Sequence, residues 1–184
     1  YGLTMALLVS ATMRVSGHLN PAVTIGFAVT RRLSLPATAV YIVSQCAGAV
    51  VAALALKALF PATVAQAARL GGEWVAGNVS TLHAIGFEAI ATFFLVFVVF
   101  GTVVDPKAPK VGGFAVGLTV CADVLAIGPL TGASMNPARA FGPALVSGVF
   151  EGHLIYWIGP ILGGVAAGLI YDWVFLRDDP AAAA

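Results

Sequence analysis

The chain has 184 residues, 60% hydrophobic and 9% charged, with a formal net charge of +1. A mean hydropathy of +0.98 leaves too little polar surface to clothe a water-soluble globule, which excludes soluble enzymes and nucleic-acid binders and points to a protein of the lipid bilayer. In chain order, residues 1–15 are apolar but fall short of the roughly 20 residues that cross a bilayer. No signal peptide precedes them, and the chain starts abruptly at Tyr1. Residues 20–30 are apolar at about half the spanning length, and 36–59 form the first full-length span. Residues 60–82, with Pro61, Arg69, Gly71, Gly72 and Glu73, read as an exposed connection with a short interfacial piece. Full-length spans are predicted at 83–104, 112–130 and 153–176, with a second half-length segment at 136–147. Cys46 and Cys121 lie inside apolar runs, where a thiol acts as a small hydrophobe.

The chain repeats itself. GLT at Gly2 to Thr4 recurs at Gly117 to Thr119, a shift of 115, and Asn20 recurs as Asn136, a shift of 116. AGAVVAALAL (47–56) matches LGGVAAGLIY (162–171), again at 115. Each copy is therefore helix, loop, half-helix, helix: repeat 1 over 1–60, a connecting loop over 61–82, repeat 2 over 83–176 and a tail over 177–184. The second copy has an additional helix, 83–104, ahead of its GLT helix. A matching span of about 20 residues is expected ahead of Tyr1. An odd number of spans between copies inverts one against the other, an arrangement that puts substrate sites at the midplane between broken helices. Arg14, Arg31, Arg32, Lys107, Lys110 and Arg177 all fall on one side, opposite Arg69 and Lys57, so the positive-inside rule turns that side to the cytoplasm.

The half-length segments both open on Asn-Pro-Ala: Asn20, Pro21, Ala22 and Asn136, Pro137, Ala138. Asn is a favoured N-cap, and Pro is favoured at the first helical position, where its missing N–H costs nothing. Two such half-helices entering from opposite faces would meet near the midplane, each presenting about +0.5 of an elementary charge and repelling cations. The two asparagines offer carboxamide donors to whatever occupies the gap. Irregular backbone at that depth is tolerated only where it is buried or lines a wet cavity. The stretches before each asparagine, Gly17, His18, Leu19 and Gly132, Ala133, Ser134, Met135, would supply carbonyl acceptors along that path. Arg139, three residues after Asn136, is a cation at membrane depth that costs at least ~2.5–3.5 kcal/mol on insertion scales. The alternative reading is an arginine snorkelling to the surface.

SGHLNPAVT and TGASMNPARAFGPAL resemble the two signature loops of the aquaporin, or major intrinsic protein, family, and with the GLT helices the resemblance covers nearly the whole chain. It is nearest the tonoplast-type, ammonia-permeable branch, with Asp123 where that branch has Asn or Asp. The resemblance implies an all-α membrane protein: one channel domain over 1–184, a right-handed helical bundle of two inverted repeats with two re-entrant half-helices. Five of six spans are present and the first is truncated. It departs from the family in that missing helix and in a first signature loop one residue shorter than SGAHLNPAVT. Arg139, Val124, Ala133 and Tyr1 take, by the resemblance, the four positions of the selectivity constriction, where Arg139 donates hydrogen bonds to the solute and repels cations. Strictly water-selective members carry His where Val124 stands and often Cys where Ala133 stands. The smaller apolar pair implies a wider constriction, passing ammonia, hydrogen peroxide or urea with water. Glycerol comes second, because facilitators of that branch place Asp where this chain has Ala140. The resemblance further implies a homotetramer with no cofactor or metal, in a plasma or inner membrane.

Glu88, inside a span, resembles the family's glutamate that braces the second signature loop, a structural support favoured over the alternative of proton transfer. Asp123 neighbours Val124 on a helix and so does not share its face, which favours a structural hydrogen bond. His18 is a wall contact or a pH-tuning group of the inner vestibule; Cys121 is a packing residue or a pore-wall thiol. GxxxG spacings at Gly113/Gly117, Gly159/Gly163 and Gly164/Gly168 bring helix backbones close. No Ser-His-Asp, Cys-x-x-Cys, HExxH or phosphate-loop pattern is present, so no enzyme is expected. An ion-coupled secondary transporter, also built from inverted repeats and broken helices, is the rival reading. A poorly conducting junction protein is the third, weakened by Arg139 and two intact Asn-Pro-Ala motifs.

Overall fold

The computed structural model describes residues 1–109 and 111–177; Lys110, counted above among the basic residues, and the tail at 178–184 lie outside the described residues. All regular structure among the described residues is helical: α1 (Gly2–Thr12), α2 (Pro21–Val29), α3 (Leu35–Leu59), α4 (Ala62–Ala67) with a 3-10 turn at Arg69–Gly71, α5 (Thr81–Val99), α6 (Gly112–Thr131), α7 (Pro137–Ser147) and α8 (Ile155–Tyr171). Helices α5 and α8 each run on into a π-helical turn, Phe100–Val104 and Asp172–Leu176. Four helices are long and apolar enough to cross a membrane, at the four places the hydropathy predicts.

The starts differ by one or two residues for local reasons. Ser34 and Ser80 cap α3 and α5, their hydroxyls accepting from Ala37 N at 3.4 Å and His83 N at 3.3 Å, so both helices begin just ahead of the apolar run. Helix α8 begins later than 153, because Gly152 at φ 64° closes a turn before it.

Packing follows the repeat. Helix α1 corresponds to α6, α2 to α7 and α3 to α8. The pairing of α3 with α7 is thus the pairing of α8 with α2 used a second time, and α1 lies against its own counterpart α6. Helix α5 packs on α8 and α6; among the described residues nothing plays that part for α3, which buries only Thr38 and Ala53. Val40, Val43, Val51, Leu54, Ile90, Phe94, Leu125 and Leu162 are exposed, an apolar flank suited to lipid rather than water. The protein is an integral, multi-pass membrane protein.

Small residues set the helix crossings. A Cβ on Gly117 would lie 2.6 Å from Ala6 N and Gly2 O, and the thiol of Cys121 fills the same crossing against Gly2, a packing role. On α8, a Cβ on Gly159 would meet Ile85 O of α5 at 2.7 Å, and one on Gly164 would meet Ala22 O of α2 at 2.7 Å. One helix thus holds α5 on one stripe of glycine and a half-helix on the next, as the GxxxG spacings predict. On the face carrying Arg31, Arg32 and Lys107, the Tyr171 hydroxyl donates to Asp105 Oδ2 at 2.9 Å and Arg32 Nη2 to Asp172 Oδ1 at 2.7 Å. These bonds tie the end of α2, the α5–α6 connection and the end of α8 together.

The connection over 60–82 is less exposed than its composition suggests. Ala65 and Leu70 are buried, and the side chain of Glu73 is only 2% exposed.

Candidate functional site

Helices α2 and α7 have 9 and 11 residues, hence lengths of about 14 and 16 Å at 1.5 Å per residue. Together they match the ~30 Å hydrocarbon thickness, so tips that meet do so near mid-depth. They do meet. Asn20 Nδ2 donates to Met135 O at 2.7 Å, and Asn136 Nδ2 donates to Leu19 O at 2.9 Å. Each asparagine thus bonds the carbonyl just ahead of the other.

The local backbone makes this possible. Leu19 (φ 49°) and Met135 (φ 53°) are left-handed in the same register of both loops, an uncommon conformation for bulky residues. It turns their carbonyls away from their own helices and toward the opposing asparagine. Each asparagine also caps its helix through Oδ1, which accepts from Ala22 N at 2.8 Å in α2, and from Ala138 N at 3.0 Å and Arg139 N at 3.3 Å in α7. Pro21 and Pro137 occupy the first turns. One carboxamide group therefore serves cap and crosslink together and keeps a second N–H for another acceptor.

Replacing Asn136 by Ala removes the cap, worth about 1 kcal/mol, and leaves the Leu19 carbonyl unpaired. The thermal midpoint in detergent should fall clearly, and less so for Asn136→Asp, which retains the capping oxygen. Equal midpoints for the alanine variant and the parent would contradict this reading of the tips.

The second loop hangs on Glu88, which is fully buried. Its Oε1 accepts from Thr131 Oγ1 at 2.7 Å and Ser134 N at 3.0 Å, and its Oε2 accepts from Met135 N at 2.7 Å. Tyr156 adds a bond from its hydroxyl to Thr131 O at 2.8 Å. The first loop is held differently. His18 Nδ1 lies 3.2 Å from Thr24 Oγ1, which also accepts from Gln45 Nε2 at 2.9 Å, and the His18 ring packs on Phe27 with centroids 4.2 Å apart. A Cβ on Gly17 would meet Val9 Cγ1 at 3.1 Å, so that loop lies close on α1.

Arg139 stands on the first turn of α7. Its guanidinium carbon is 4.6 Å above the Tyr1 ring, and the Tyr1 hydroxyl donates to Ser134 O at 3.2 Å. Three residues named from the sequence, Tyr1, Ser134 and Arg139, thus come together. Ala133 is buried, and Val124 packs half-buried against the cluster that contains it. Asp123, for which a structural hydrogen bond was expected, keeps its Oδ2 buried with no hydrogen-bond partner.

Thr24 and Gln45 at the first loop, and Thr131 and Glu73 at the second, were not singled out from the sequence. Thr131 links Glu88 to the second loop, and its only advance signal is a hydroxyl at the end of an apolar span. Glu73 forms an ion pair with Arg139. Its signal is the Gly71-Gly72 pair before it, which allows a close approach of backbone.

The profile of the family described as "Major intrinsic protein" matches residues 1–171. Among known proteins, Aquaporin TIP4-4 of Zea mays is 48% identical over 95% of this chain, which spans 69% of that relative. Probable aquaporin TIP3-2 of Arabidopsis thaliana is 44% identical over 96% of the chain and 66% of the relative. Aquaporin-4 of Bos taurus is 43% identical over 97% of the chain, which spans about half of it, 55%. The TIP names agree with the resemblance to the tonoplast-type branch. Among solved structures, the aquaglyceroporin from Plasmodium falciparum superposes with a TM-score of 0.83 at 25% identity, covering 96% of this chain and 80% of that one. Two capped half-helices crosslinked tip to tip, on a chain matched by one family along nearly all its length, make this protein a member of the major intrinsic protein family.

Proposed function

We propose that this protein is a passive channel for water and other small neutral solutes, among them ammonia, hydrogen peroxide and urea, and that it excludes protons and ions. The observation that carries the reading is the reciprocal pair of hydrogen bonds between Asn20 and Met135 and between Asn136 and Leu19. Two helix N-termini fixed at mid-depth hold a positive electrostatic region there, unfavourable to cations. A water molecule in single file past this point turns its oxygen toward both asparagine donors. Its hydrogens then point outward, and the hydrogen-bonded chain needed for proton hopping is broken. The backbone of Gly17, His18 and Leu19, and of Gly132, Ser134 and Met135, supplies carbonyl acceptors on either side.

Arg139, Tyr1, Val124 and Ala133 form the selectivity constriction in this proposal, with Glu88 a structural support that keeps the second loop in register. Relatives named as aquaporins at 43–48% identity support a water channel. The likeness to an aquaglyceroporin supports a glycerol or small-polyol facilitator as the second reading, against which stands Ala140, where facilitators of that branch carry Asp. The family is one of channels, and no catalysis is proposed.

Stopped-flow shrinkage of proteoliposomes under an osmotic step tests the proposal. Fast water efflux independent of any proton or sodium gradient is expected; solute uptake that requires such a gradient would replace the channel with an ion-coupled transporter. The same vesicles given urea, methylamine, peroxide and glycerol rank the cargo. We further infer a homotetramer with one pore per protomer, checked by the mass of the detergent-solubilised particle. The Arg31, Lys107 and Arg177 face is assigned to the cytoplasm of a plasma or inner membrane, and a fluorescent fusion found on internal membranes would reject that location.

A further inference from the structure

We propose that Glu73 is a further selectivity residue of this channel: its carboxylate neutralises Arg139, so that cation exclusion at the constriction rests on an ion pair and not on a bare guanidinium. The inference rests on the channel reading above.

The connection before α5 is shaped to deliver this side chain. Arg69, Leu70 and Gly71 are left-handed at φ 48°, 53° and 82°, which folds the chain back on itself. Gly72 then approaches α7 so closely that a Cβ there would lie 3.2 Å from Pro143 Cβ. Gly132, in the second loop, faces Glu73 itself, and a Cβ on it would meet Glu73 Cβ at 2.9 Å. Ala76 N bonds to Leu130 O at 2.9 Å, closing the far end of the segment onto α6. Glu73 is thereby fixed between the second loop and the half-helix.

The charges are unequal in access. The Glu73 side chain is 2% exposed and the Arg139 side chain 29%. The carboxylate is therefore the buried backing, and the guanidinium keeps an open edge for solute. Tyr1 covers the cation from another side, 4.6 Å from the guanidinium carbon. A buried carboxylate is strongly unfavourable once its partner is removed. At a narrow passage it would then act as an acidic group of the kind that draws cations into pores.

This gives a result that a bare-arginine account does not. In reconstituted vesicles, Arg139→Ala exposes the unpaired Glu73 carboxylate and should raise sodium leak by about tenfold, while Arg139→Ala combined with Glu73→Gln should return it to within about twofold of the parent. Glu73→Gln alone, near in shape and so keeping the fold, frees guanidinium N–H groups for carbonyl solutes and should raise the urea-to-water permeability ratio about threefold. If the double variant leaks as much as Arg139→Ala, Arg139 excludes cations by itself; if Arg139→Ala does not leak at all, exclusion does not depend on this ion pair; either result overturns the proposal. Should the alanine variants not assemble, the permeability ratio in Glu73→Gln decides, and an unchanged ratio overturns the proposal. Water flux in the parent separates the two levels: its absence would defeat the channel reading itself, whereas intact flux with an unrescued leak removes only the role of Glu73.

Discussion

Replacing Glu88 by alanine is expected to abolish water flux and to destabilise the protein more than any other single change at the site. The substitution leaves Thr131 Oγ1, Ser134 N and Met135 N without their acceptor. All of them are buried, and an unsatisfied donor costs about 1–3 kcal/mol. The left-handed Met135, whose carbonyl receives Asn20, is held by one of these bonds, so the crosslink between the tips loosens with the brace. Glu88→Gln should not rescue. Its amide offers one acceptor oxygen where donors approach both carboxylate oxygens, and its NH2 would face one of them. Thermal melting in detergent and stopped-flow water flux check this together. A Glu88→Gln protein with the parent's midpoint and flux would mean that the carboxylate is not what holds the loop.

The second large effect lies away from the pore. Gly163→Val should prevent α8 from seating on α5, because a Cβ there would lie 2.9 Å from both the Ala89 carbonyl carbon and Phe93 N. These are backbone atoms of a neighbouring helix and cannot swing aside, so the helices must separate and their packing is lost. Overpacking of this kind costs up to about 3 kcal/mol or more. Because Gly164 and Gly168 on the same helix carry α2, the displacement should be transmitted to the Asn20 tip. The expected outcome is a protein recovered in low yield that melts well below the parent, whereas Gly48→Val, at a position with open space around it, should melt like the parent. Similar behaviour of the two variants would contradict the assignment of the α5–α8 crossing.

Much of this was legible in the residues, for reasons that differ from element to element. The four spans could be read because a bilayer demands length and apolarity, and both are local properties. The half-helices could be read because Asn-Pro-Ala is a start signal and the apolar run after it is too short to cross. Close helix approach at Gly117, Gly159 and Gly164 could be read from the GxxxG spacing, but which helices meet there, α1 with α6 and α2 with α8, is tertiary information. The π-helical endings of α5 and α8 had no local signal; they involve an extra residue in the turn and appear where Phe100, Tyr171 and Leu176 are packed in the core. The pairing of Glu73 with Arg139 was missed because a loop of Gly, Arg and Glu reads as solvated from composition alone. What buries it is the return of the chain onto the second loop, a contact across roughly sixty residues of sequence. The expected partner of Asp123 was likewise a tertiary matter that spacing on one helix could not decide.

In the proposed channel, two asparagine-capped helix tips joined at mid-depth pass water while interrupting a proton wire. The most direct test is to measure water and proton permeability in the same proteoliposomes, with an osmotic step followed by a pH step under clamped membrane potential and a pH-sensitive dye inside. Water efflux far above that of protein-free vesicles is expected, together with proton entry no faster than theirs. Proton entry that rises in step with water flux would contradict the interrupted wire.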